Sequence, residues 1–138
     1  MEILQTLDLT PALLLRSLLS LFVAILFIQS GLDKVVNWKG EKAFYQEHFS
    51  KTFLRSTVGL LMPTITLAEL AAGFLSGIGL LAYWFTGNPS VAFLGMLVAA
   101  LSITMLFFGQ RVAKDYAGAA TLVPYFLLTI AGLYVYLY

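Results

Sequence analysis

The chain has 138 residues, of which 60% are hydrophobic and 11% charged, with a mean hydropathy of +0.90. Soluble domains carry about 25% charged residues, and a core of this size cannot hide so large an apolar share, which excludes a soluble monomer. A net charge of +1 leaves no basic field for nucleic acid, and the lack of Cys removes disulfide, thiol and cysteine-ligated metal chemistry.

Residues 1–10 contain Glu2 and Asp8 but no Lys or Arg, so they do not form the basic leader of a cleavable signal. The first apolar stretch, residues 11–32, is therefore expected to stay as a helix, with Thr10 as N-cap and Pro11 at the first helical position. Its one charge is Arg16, about five residues inside the span. That depth fits either a side chain snorkelling to the headgroups or the partner of a buried acid.

Residues 33–57 are richer in polar groups. Within them Trp38, Tyr45, Phe49 and Phe53 fall on one arc at helical spacing, opposite Glu47, Lys51 and Arg55. This predicts an amphipathic interfacial helix over about 38–55, aromatic face toward the membrane, with packing on a partner protein as the alternative.

The second stretch, residues 58–85, holds a single charge, Glu69, mid-span and too deep to reach water. Such a carboxylate is protonated, paired or facing a wet cavity. If the first span runs inward and the second outward, Glu69 is expected near the level of Ser20, one turn from Arg16, which makes Arg16 and Glu69 candidate intramembrane partners. The readings open for them are a structural pair and a substrate or proton site. Gly73 and Gly77 form a small-residue stripe with Ala68, Ala72 and Ser76, suited to close helix packing.

Thr86-Gly87-Asn88-Pro89 is a tight turn, and the third and fourth stretches, residues 89–108 and 117–138, carry no charge. Every stretch exceeds the ~18–20 residues needed to cross a bilayer as a helix. The expected fold is an all-α integral membrane protein: one domain over 1–138, a four-helix up-down-up-down bundle with the interfacial helix between the first two spans. Pro63 and Pro124 lie within spans and each frees a carbonyl. Seven of the eight Lys and Arg lie in 33–57 and 109–116, which predicts those loops on the cytoplasmic side of a bacterial inner membrane and both termini outside.

At the end of the first span, Gln29, Ser30, Gly31, Asp33 and Lys34 cluster polar groups around a small residue. Together with Ser20 and Gly73 they are the supporting positions of the Arg16–Glu69 site. No metal cluster, nucleophile constellation or cofactor motif is visible, and no catalytic residue is assigned.

Arg16 followed by Phe27, Gly31 and Lys34, an F-x-x-x-G-x-x-K pattern, and Glu69 with Gly73 in an E-x-x-x-G stretch, resemble the DoxX-like family of small four-helix membrane proteins. The likeness covers the first two spans; the acidic residue that some relatives carry in the last helix is not present here. It implies an association with membrane redox processes, since members include subunits linked to thiosulfate:quinone oxidoreduction and partners of redox-stress proteins, while a eukaryotic branch assists receptor assembly. The expected function is thus an accessory or binding subunit with a polar intramembrane pocket for a quinone-like or lipid-like molecule, rather than an enzyme on its own. The alternatives are an assembly or chaperone-type protein and a small subunit of a quinone-linked oxidoreductase. The expected partners are the bilayer and a membrane or peripheral redox protein, with a homo-oligomer as a further candidate.

Overall fold

A computed structural model describes Glu2 and residues 10–138. The reading of residues 1–9 as no leader therefore falls, Glu2 apart, outside the described residues. Five helices follow in order: α1 (Pro11–Val36), α2 (Trp38–His48), α3 (Val58–Thr86), α4 (Ser90–Val112) and α5 (Tyr116–Leu137). Four of them, of 26, 29, 23 and 22 residues, are long and apolar enough to cross a membrane.

The chain's own chemistry sets the helix ends. The Thr10 hydroxyl accepts from the Leu13 amide, and Pro11 opens α1 where a missing N–H costs nothing. Gly87, at φ +76°, takes the left-handed position that stops α3, and the Asn88 side chain accepts from the Ser90 amide to start α4. The Asp115 carboxylate caps α5 by accepting from the Gly118 amide.

Three boundaries differ from expectation by four residues or more, one being α4, which runs on past 108 to Val112. Helix α1 continues four residues past Leu32 to Val36, which brings Asp33 and Lys34 into its last turns. Helix α2 stops at His48 instead of near residue 55. Beyond it, Ser50, Thr52 and Thr57 each turn a hydroxyl onto the carbonyl three residues back, and this local bonding replaces helical continuation.

Polarity is inverted relative to a soluble protein. The interior holds small, slim and polar side chains, with Ser20, Thr66, Glu69, Ser76, Ser102 and Thr129 all buried beside Val23, Phe27, Ala72, Met96 and Ala99. Leu18, Leu60, Leu67, Phe85 and Leu127 point outward and are exposed. In lipid there is no hydrophobic drive to bring such helices together, so close backbone approach and interhelical hydrogen bonds supply the cohesion.

Glycines supply that approach. A Cβ at Gly73 would lie 2.7 Å from the Ile28 amide nitrogen of α1, and one at Gly95 of α4 would lie 2.5 Å from the Ser76 amide nitrogen of α3. Other close pairs are Gly31 with Leu70, Gly77 with Ala24, Gly79 with Ala92, and Gly132 with Met96. The Gly73–Gly77 stripe thus packs against α1 of the same chain.

Candidate functional site

The residues expected to act together divide between two ends of the bundle. The level of Glu69 is set by α3, whose first two turns run past the end of α1: Leu70 packs on Gly31, near the C-terminus of α1, and not on Ser20. Lys34 is four residues from Ser30 on the same helix face and reaches across. Its Nζ donates to Ser30 Oγ and to Glu69 Oε2, both at 3.1 Å. The side chains of Lys34 and Glu69 are 8% and 0% exposed, so this is a buried ion pair.

Arg16 does not meet Glu69. It lies 18 residues before Lys34 on α1, a separation of about 27 Å along the helix axis at 1.5 Å per residue. Its Nε donates to the Val135 carbonyl at 2.6 Å and its Nη1 to the Tyr83 hydroxyl at 2.9 Å. The Arg16–Glu69 pair expected from the sequence gives way to two separate sites, because span-counting placed α1 and α3 in the wrong register.

The supporting positions sort the same way. Ser30, Gly31, Lys34 and Gly73 belong to the Glu69 end, while Ser20 belongs to the Arg16 end, where its Oγ lies 2.5 Å from the Tyr136 hydroxyl. Gln29 and Asp33, four residues apart on α1, face outward and are exposed, so neither joins a site.

Glu69 keeps one oxygen unpartnered. Oε1 is buried without a hydrogen bond among the described residues, as is Ser76 Oγ. Leaving such an acceptor unsatisfied costs about 1–3 kcal/mol, which marks the carboxylate as a place that an added hydrogen-bond donor would suit.

Above the pair lies α2. Burial pushes the Tyr45 phenol above its usual range; Lys34 opposes that shift, and Glu41 and Glu69 add to it. The Tyr45 hydroxyl makes no hydrogen bond among the described residues. Tyr45 forms one edge of a half-open cavity of about 400 Å³ between α3 and α4, bordered by α2 and the turns after it. Phe49, Leu54, Leu61, Met62, Ile65, Met105 and Phe108 line most of it. The hydroxyls of Thr64 and Thr104 bond back to carbonyls of their own helices, so the walls present carbon. At the rim, His48 Nε2 lies 2.7 Å from Gln110 Oε1 and 3.8 Å from Asp115 Oδ2, which ties the end of α2 to the α4–α5 turn.

Tyr45 and Phe49, expected to turn toward the membrane, instead face the long helices and line this cavity, which the sequence did not signal. Gln110 gave no signal, being one polar residue at a helix end. Tyr83 and Tyr136 carry no site signal in the sequence, because their contacts with Arg16 depend on packing. Among the described residues no group of three or more His, Asp or Glu could hold a metal ion.

No family model, no curated protein and no solved structure matches the chain. Phe27, Gly31, Lys34, Glu69 and Gly73 come together where α1 crosses α3, with Lys34 bonded to Glu69.

Proposed function

We propose that the protein is a membrane-embedded binding protein that takes a quinone-like or lipid-like molecule into the cavity between α3 and α4, as an accessory subunit to membrane redox proteins. The observation that carries this reading is the carbon-walled cavity with Tyr45 at its edge. Such a combination, mostly apolar walls with few placed polar groups, suits an apolar ring or chain with a polar head. Tyr45 would donate to the head, and Gln110 and His48 would border it. The DoxX-like resemblance supports a redox association and points away from an activity of this chain alone.

In this reading the four long helices cross the bilayer up-down-up-down, consistent with close pairs such as Gly31–Leu70 and Gly77–Ala24, whose numbers run in opposite senses along the two helices. Helix α2 lies in the interface. The excess of Lys and Arg in 33–57 and 109–116 supports a cytoplasmic position for that end, at a bacterial inner membrane. A role in assembly is the second reading, favoured by Phe44 and Phe53, which are 57% and 72% exposed around α2 and would suit a protein partner.

The test is binding of decylubiquinone and of a fluorescent fatty acid to the purified protein in detergent, for the wild type and for Ile65→Trp, which fills the cavity. Saturable binding of either probe, lost in Ile65→Trp with helicity intact, supports the reading. Absence of binding by both probes, or equal binding by the variant, overturns it.

A further inference from the structure

We propose that Arg16 is the receptor for the phosphate of one anionic phospholipid, at the end of the bundle opposite the Lys34–Glu69 pair. The site is separate from the cavity and does not depend on what the cavity binds.

Arg16 is the sole charged residue in the stretches 10–28, 79–108 and 117–138. Its partners are neutral. The Val135 carbonyl and the Tyr83 hydroxyl accept from Nε and Nη1, and the guanidinium carbon stands 5.7 Å from the centre of the Tyr83 ring and 5.6 Å from that of Tyr136. Among the described residues no carboxylate lies within ion-pair distance of it. A guanidinium has five N–H donors in a planar fork, and two are occupied here. Among the described residues, then, the charge in an apolar span has no anion beside it, and the donors left without a partner there include both of Nη2.

The group is also held still. Tyr83 comes from α3, and Val135 and Tyr136 from α5, so three helices fix the fork in orientation. Tyr136 is fixed in turn, since its hydroxyl is hydrogen-bonded to Ser20 Oγ and donates to the Arg16 carbonyl at 3.3 Å. Such pre-ordering favours bidentate recognition of a phosphate, which a lysine's point charge does not reproduce. The position matches the occupant. Trp84, whose indole donates to Ser17 Oγ, and Tyr134 are exposed beside it, as aromatic residues at headgroup level are. A phosphodiester tethered to acyl chains would sit on the fork while the chains follow the outward-facing leucines of α1.

Native mass spectrometry of the full chain released from detergent tests this, with added phosphatidylglycerol, phosphatidylcholine or inorganic phosphate. The wild type is expected to retain one phosphatidylglycerol in preference to phosphatidylcholine. Arg16→Gln should weaken that retention by about tenfold or more, and Arg16→Lys by less, because a charge-assisted bidentate contact becomes a neutral or single one. Phosphatidylglycerol should also raise the melting temperature of the wild type more than phosphatidylcholine does, a readout that stands even if Arg16→Gln fails to fold. Equal retention of the two lipids, or unchanged phosphatidylglycerol binding in Arg16→Gln, overturns the proposal. Displacement of the lipid by low concentrations of inorganic phosphate overturns the lipid assignment in favour of a free anion. Ile65→Trp leaves this binding unchanged, which separates its outcome from that of the cavity.

Discussion

Replacing Lys34 with Met removes the cation that faces Glu69 and leaves the carboxylate where it is, buried between α1 and α3. In the native protein the two charges are 3.1 Å apart and almost wholly enclosed. At an effective dielectric constant near 20 their attraction is about 5 kcal/mol, and it is offset by a desolvation cost of several kcal/mol per ion, so the intact pair contributes little net stability. Breaking it is another matter, because the attraction goes while the carboxylate's desolvation stays. The expected loss for Lys34→Met is about 3–5 kcal/mol. Glu69→Gln should cost less, about 1–3 kcal/mol, because Lys34 lies two residues from the end of α1 and its long stem can carry the ammonium outward. The double variant Lys34→Met/Glu69→Leu removes both charges and should recover most of the loss. Reversible unfolding in mixed dodecylmaltoside–SDS micelles, followed by far-UV circular dichroism, measures all four proteins. A Lys34→Met protein as stable as the wild type, or a double variant no more stable than Lys34→Met alone, would refute the buried-pair account.

Two further outcomes follow from other parts of the bundle. Gly95→Ala places a methyl 2.5 Å from the Ser76 amide nitrogen and must push α4 off α3, at a cost of about 1–3 kcal/mol in the same unfolding assay; Gly77→Ala, whose nearest neighbour is the Ala24 methyl at 3.6 Å, should be neutral or gain up to about 1 kcal/mol from helix propensity. The Tyr45 phenol, raised by burial, should titrate at 295 nm above the usual 10 in a wild-type minus Tyr45→Phe difference curve. Since the folded value exceeds the unfolded one, the stability tied to Tyr45 is complete below pH 10 and is lost as pH rises through the folded value. A midpoint at or below 10 contradicts its burial against the bundle.

The polar interior and apolar exterior together explain why so few residues carry the chemistry. Inside, a hydroxyl can bond to the carbonyl of its own preceding turn, as Thr66 and Ser102 do with Met62 and Val98. Those groups are self-satisfied and need no tertiary partner. Lys34, Glu69 and Arg16 have no such local solution, because a charge is not neutralised by its own helix. Their partners must come from other helices, and each therefore records a choice made in packing.

Periodicity and composition are local properties, which is why the four long helices, the Thr10-Pro11 start and the tight turn over Thr86-Gly87-Asn88-Pro89 could be read from the chain itself. The hydroxyl-rich run after His48 carried its own signal for ending α2, since Ser50, Thr52 and Thr57 compete with the helix for backbone carbonyls. The amino-acid sequence also named the charges that matter, because any ionised group inside an apolar span is costly. Which charge meets which was decided by tertiary structure alone. A helical step moves a side chain 1.5 Å along the axis, and the overhang of α3 beyond α1 displaces Glu69 by several such steps, from the level of Ser20 to that of Gly31 and Lys34. The same sliding freed Arg16 to bind the far ends of α3 and α5. Register between helices is the sum of many weak contacts at glycines and small residues, and no single stretch of sequence contains that sum.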